Sequence, residues 1–251
     1  MEPTSVTRIG LLLVRPGTLV AASPLFGGPF APAQLKVGLT LLLAAVLLPS
    51  VAVPPADGSA TLLLIVMRET AIGLALGLAI QALVAAAELA GHLAGFQMGL
   101  SYGALVDPQS GVRHNVLAVL YANIALLTLF LTNGHHAFLR ALDDSYRTLP
   151  IGVGGIDGSL AGAVMSMLGL IFTLGTRLAA PVVVVMVVTE LAMALLARSA
   201  PALNLPAAGS TVRLIVGLMV LAIVVPVVVS VIAGAGDSVL RLGAEAAKAF
   251  R

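Results

Sequence analysis

The sequence predicts an all-α membrane protein built from about six long, partly kinked hydrophobic helical segments. Composition is the first reason. Hydrophobic residues make up 59% of the 251-residue chain and charged residues 10%, with a mean hydropathy of +1.10. A soluble domain is about 45–50% apolar and about 25% charged, so this chain has too few charges to cover a water-facing surface. That excludes an ordinary soluble enzyme, a disordered regulator and a nucleic-acid-binding module. The second reason is the length of the apolar runs, which match the roughly 20 helical residues that a bilayer core of about 30 Å takes. The third is the absence of the alternating ten-residue pattern of an outer-membrane barrel.

The runs, in order, cover residues 9–26, 35–53, 61–100, 115–131, 161–197 and 212–233. Stretches rich in helix breakers separate them at 27–32, 54–59, 107–111, 150–158 and 201–209. The first run follows a polar stretch, Met1 to Arg8, and with no small-residue cleavage motif at a convincing position after that run it is read as retained. The third run contains no proline over about 40 residues, which is about 60 Å of helix. It must project beyond the bilayer or fold back within protein. The fifth is nearly as long and carries Pro181, which predicts a kink. His135 and His136 read as loop or helix-start residues.

The balance of 13 basic and 11 acidic residues leaves a net charge of +2, too small to imply an acidic partner. The chain has no cysteine, so disulfides, thiolate metal sites and a cysteine nucleophile are excluded. The histidines His92, His114, His135 and His136 show no ligand spacing, so no metal and no cofactor is expected. Nor is there an HExxH or a pair of intramembrane aspartates, and the protein reads as a non-enzyme.

Arg15, Arg68, Glu69, Glu88, Arg177 and Glu190 lie in or beside the apolar runs. An arginine or aspartate at a helix centre costs about 2.5–3.5 kcal/mol on insertion scales, so such groups should face protein, water or one another. They form either a relay through the membrane or buried contacts that fix packing. Gly73 and Gly77 follow Glu69 at four-residue spacing, and Gly91, Gly95, Gly99 and Gly103 repeat it. Such small-residue ridges let helices approach closely where lipid supplies no hydrophobic drive.

Five blocks then carry a resemblance that spans nearly the whole chain. They are Arg15 with Ser23-Pro24-Leu25-Phe26-Gly27 and Pro32; Glu69 with Ile72-Gly73-Leu74 and Gly77; and Gly95-Phe96-Gln97-Met98-Gly99-Leu100-Ser101-Tyr102 closing on Asp107-Pro108 and Gly111. The last two are Asn133-Gly134-His135-His136 with Ser145-Tyr146 and Pro150, and Leu178-Ala179-Ala180-Pro181 with Ala197-Arg198-Ser199-Ala200-Pro201 and Leu203-Asn204. In this order and spacing they resemble the FliR family of flagellar type III export-gate membrane proteins. Two positions depart from the family pattern: Ala202 replaces a usual glutamine, and His92 stands where a polar or acidic residue is usual.

The resemblance implies a FliP-like helical part over residues 1–160 and a FliQ-like helical hairpin with a C-terminal tail over 161–251. It implies assembly with FliP and FliQ, contact with FlhB near FlhA, and passage of unfolded flagellar proteins through the bacterial inner membrane at the flagellar basal body. The segment 95–111 is implied to reach the channel and help plug it, and its glycines, with Phe96, Met98 and Leu100, suit a seal that reshapes. Arg198, Pro201, Leu203 and Asn204 are implied to form a hairpin tip that meets FlhB in the cytoplasm. Basic residues number four on the side of that tip (Lys36, Arg113, Arg198, Arg213) and six on the other, so the orientation comes from the resemblance and not from charge. The related virulence injectisome subunit is the alternative of the same fold. A small-solute transporter is the alternative of another class, and it would want internal repeats with matching broken helices.

Overall fold

The computed structural model describes residues 3–28, 31–52, 59–100, 115–153, 160–199 and 205–250. Among them there are eight helices and no strand. They are α1 (Pro3–Ala22), α2 (Pro24–Gly27), α3 (Ala33–Leu47), α4 (Ser59–Gln97), α5 (Val116–Leu131), α6 (Gly134–Thr148), α7 (Leu160–Ser199) and α8 (Leu205–Lys248).

Local chemistry explains the differences from the sequence-based outline. The first run breaks at Ser23, which is extended and whose Oγ accepts from Leu25 N–H to cap α2, with Pro24 as its first residue. Helix α3 has 15 residues, about 22 Å, which is short for a bilayer core. Helix α6 is an addition. Its Phe138, Leu142, Ser145 and Tyr146 are buried on one face, and Arg140, Asp144 and Arg147 are exposed on the other. Charge kept it out of the list of apolar runs, although its spacing is helical. Asn133 enters it in the left-handed region at φ 57°, where asparagine is better tolerated than most residues. Helix α8 runs on past residue 233 to Lys248, through the stretch expected to be a tail.

Three helices, over Thr61–Gln97, Ala161–Ser199 and Gly209–Lys248, are long and apolar enough to cross a membrane, and α5 with α6 makes a fourth if the two form one broken span. The most apolar window of α4 is 67% buried, against 22% for α7 and 28% for α8. Much of α4 is therefore enclosed by protein, whereas α7 and α8 leave Phe172, Val184, Val188, Leu191, Ile223 and Val227 exposed.

The chain divides into two compact units that interleave in sequence. The first comprises Met1–Ala82, Leu129–Gly169 and Ala235–Arg251. Its core packs Leu12, Leu19, Ile72, Leu76, Leu142 and Ile151, with Phe250 closing one side. The second comprises Leu83–Thr128 and Leu170–Gly234. There α4 buries Ala86, Ala87, Ala90 and Ala94, and the small side chains bring its neighbours close. A Cβ on Gly175 of α7 would lie 2.9 Å from the Ala86 carbonyl oxygen of α4.

Candidate functional site

In the first unit a charged centre is enclosed by apolar helices. Arg15 of α1 and Glu69 of α4 are both fully buried, with Arg15 Nε donating to Glu69 Oε2 at 2.8 Å. The other guanidinium nitrogens are also engaged. Nη1 donates to Ser145 Oγ at 2.9 Å and Nη2 to the Leu149 carbonyl at 3.0 Å. Arg15 Cζ also stacks 4.1 Å from the centre of the Tyr146 ring. Arg68 adds a second cation at the edge, 4.0 Å from Glu69 Oε1, and donates to the carbonyls of Phe250 and Pro150 at 2.8 and 3.0 Å.

Tyr146 answers a defect in α1. Pro16 has no N–H, so the carbonyl of Leu12 one turn earlier lacks its helical partner. The Tyr146 hydroxyl donates to that carbonyl at 3.2 Å. Pro16, Arg15 and Tyr146 are thus one construction: a proline opens the helix and a phenol closes it from α6. Gly73 and Gly77 let α1 come this near. A Cβ on Gly73 would collide with the Thr18 side chain and lie 2.5 Å from the Arg15 carbonyl oxygen, and one on Gly77 would lie 2.7 Å from Ala22 Cβ.

In the second unit, the end of α4 leads into the segment expected to gate. Leu100 N–H bonds to the Gly95 carbonyl at 2.9 Å and Gly99 N–H to the Phe96 carbonyl at 3.1 Å. Gly99 has φ 79°. This pattern is a Schellman cap, which ends the helix and satisfies its last carbonyls. Residues 95–100 are accordingly helix and cap. Met98 is buried beneath the cap, where a Cβ on Gly217 of α8 would lie 2.5 Å from its Cγ. Gln97 and Gly99 are half-buried, and Phe96 and Leu100 are exposed.

The glycines of this helix differ in their tasks. Gly91 sits against the backbone of Leu117 and Ala118, and Gly95 against the Asn115 side chain. Asn115 in turn caps α5, its Oδ1 accepting from Leu117 N–H at 2.9 Å. Gly99 supplies backbone conformation instead of a contact surface. Gly103 lies outside the described residues, as do Ser101, Tyr102, Asp107 and Pro108 of the gate segment and Pro201, Leu203 and Asn204 of the hairpin tip. Arg198 is exposed near the end of α7. Of the other ions in the apolar runs, Glu190 lies 3.6 Å from Arg213 on α8. Half-buried Glu88 and exposed Arg177 make no ion pair among the described residues.

Reasoning from sequence missed Ser145, Tyr146 and the Leu149 carbonyl as partners of Arg15, and Asn115 and Gly217 as partners of α4. Pro16 was the available signal for Tyr146, since a proline inside an apolar helix demands a donor from elsewhere.

Residues 6–238 match the family described as bacterial export proteins, family 1. The chain belongs to the FliR family. It is 33% identical over 220 residues to the flagellar biosynthetic protein FliR of Escherichia coli strain K12, covering 86% of this chain and 83% of that protein. The FliR protein of Pectobacterium carotovorum is 35% identical over 219 residues, with 86% and 83% coverage. That of Bacillus subtilis strain 168 is 26% identical over 226 residues, with 88% and 87% coverage. The family match runs through every helix above, and Arg15, Glu69, Ser145 and Gly95 to Leu100 all lie within it.

Proposed function

We propose that this protein is a non-enzymatic, multi-pass subunit of the flagellar type III export gate in the bacterial inner membrane. The observation that carries this reading is the likeness to flagellar FliR proteins over 86% of the chain. In this reading it assembles with FliP and FliQ, meets FlhB and FlhA, and helps to pass unfolded flagellar proteins. The exposed apolar faces of α7 and α8 are available to subunits as well as to lipid. Residues 1–160 act as the FliP-like part, and the two long helices act as the FliQ-like hairpin, with Arg198, Pro201, Leu203 and Asn204 at its tip.

The gate function is assigned to 95–111. The Schellman cap and buried Met98 support it by giving the segment a fixed base, from which Phe96 and Leu100 stand exposed. The Arg15–Glu69 centre is assigned to assembly of the fold and not to proton transfer, since every nitrogen of the Arg15 guanidinium has a protein partner.

A strain lacking the protein should fail to swim and should export no flagellin, with both restored by the intact gene. Restored swimming by a chain lacking 102–110 would show that this segment is dispensable. If the segment is the plug, that deletion should leave the amount of complex with FliP and FliQ unchanged and make the membrane leak small ions. Loss of complex without leak would make it a packing turn.

A further inference from the structure

The part of α7 that lies in the second unit presents two unlike faces. Leu178, Val182 and Met186 are buried on one, and Glu190 continues that side to within 3.6 Å of Arg213 on α8. The opposite face carries Arg177, Pro181, Val184, Val188, Leu191 and Leu195. Their spacing alternates four and three residues, which keeps them in one row and is the repeat of a helix–helix seam. The row is uncovered: Val184, Val188, Leu191 and Leu195 are each between 59% and 62% exposed. Arg177 is exposed as well and makes no ion pair among the described residues. It is also the sole charged residue in the sequence from 161 to 189.

The chemistry of the row decides what covers it. In water the valines and leucines stay unburied, and in hydrocarbon the guanidinium finds no counter-charge. A protein surface that is apolar over about three turns and carries a carboxylate at one end satisfies both. A second copy of α7 does not, because its own row holds no acid and offers Arg177 only like charge, proline, valine or leucine. The four-three spacing fits a helix, whose side chains would enter between Val184, Val188 and Leu191. A single polar residue in such a seam fixes its register.

We infer that this row docks one helix of another subunit, a helix whose own apolar four-three row is interrupted by a single aspartate or glutamate that meets Arg177. The inference rests on the proposed assembly with other subunits, and goes beyond it by naming the row, the register and the charge of the helix that binds.

The test places the photo-crosslinking residue benzoylphenylalanine at 184, 188 or 191 of the full chain, in cells that make the whole export gate. All three sites should label one and the same helix, and mass spectrometry of the labelled peptide should find an aspartate or glutamate within its apolar row. Arg177→Glu should weaken recovery of that partner about thirtyfold or more, the effect of breaking a charge pair that the interface encloses. Changing the partner's acid to arginine should restore recovery, and Arg177→Lys should lose less than Arg177→Gln. Because Arg177 is exposed, circular dichroism should show all of these variants folded. Labelling of phospholipid alone or of a second copy of this chain would overturn the inference. So would a labelled peptide without a carboxylate, or full recovery of the partner by folded Arg177→Glu. A labelled acidic helix from a protein outside the flagellar gate would leave this inference standing and remove the proposed function.

Discussion

Arg15 and Glu69, 54 residues apart in the sequence, meet at 2.8 Å with no exposed surface on either side chain. Two charges removed from water in this way are held by geometry more than by net gain, because desolvation opposes the attraction. Removing one partner is the damaging change. Glu69→Gln should lower stability by about 3–5 kcal/mol, since it leaves a buried guanidinium without its counter-charge. The double variant Arg15→Met with Glu69→Leu should lose less. Thermal unfolding in detergent, followed by circular dichroism, checks both. A double variant worse than the single one would contradict this account.

Tyr146→Phe keeps the ring over Arg15 and removes only the donor to the Leu12 carbonyl. Leaving a buried carbonyl unsatisfied costs about 1–3 kcal/mol. Restoring the α1 N–H with Pro16→Ala should recover part of that loss. If Tyr146→Phe is as harmful in the Pro16→Ala background as it is beside Pro16, the two residues are not coupled.

Gly95 and Gly99 should fail for different reasons. At Gly95 a side chain of any kind meets Asn115, so Gly95→Asn and Gly95→Val should both reduce recovery of complex with FliP and FliQ. At Gly99 the demand is a positive φ, which asparagine tolerates better than β-branched residues do. Gly99→Asn should therefore retain assembly that Gly99→Val loses. Pull-down yields of the four variants decide the matter, and equal damage by both Gly99 variants would refute it.

Met98 and Gly217 form a fitted pair. Met98→Ala should destabilise by about 2–5 kcal/mol through the cavity it leaves, and Met98→Leu by less than about 1.5 kcal/mol. Gly217→Ala should be harmful beside Met98 and tolerated when combined with Met98→Ala, because the added Cβ occupies the vacated space. Thermal unfolding of the two single variants and the double variant measures the coupling. Additive losses in the double variant would mean that the two sites do not share that space.

Much of the fold could be read from the sequence because hydrocarbon imposes a simple rule: long apolar runs become helices. That rule located α4 and α7 to within a few residues, and family likeness pointed to Arg15, Glu69 and the end of α4. It passed over α6, whose charges belong to an amphipathic helix and not to a lipid-facing one. It also treated Gly91, Gly95 and Gly99 as one ridge, although the cap at Gly99 depends on a backbone angle that four-residue spacing does not encode. The partners of Arg15 were out of reach for a related reason. Periodicity describes single helices, and Ser145 and Leu149 reach Arg15 across 130 and 134 residues of chain.

That separation has a consequence for how the protein is made. Arg15 leaves the ribosome long before Ser145 and Leu149 exist, and at roughly 5–20 residues per second the wait is on the order of ten seconds or more. For the first 54 residues of that interval its guanidinium lacks even Glu69, and throughout it the open carbonyl of Leu12 has no phenol. The first helices must therefore be held by the insertion machinery or by lipid headgroups until α6 arrives. The centre closes as a late act of synthesis, so a chain truncated before residue 149 would carry its costliest charge into the membrane without its full set of partners.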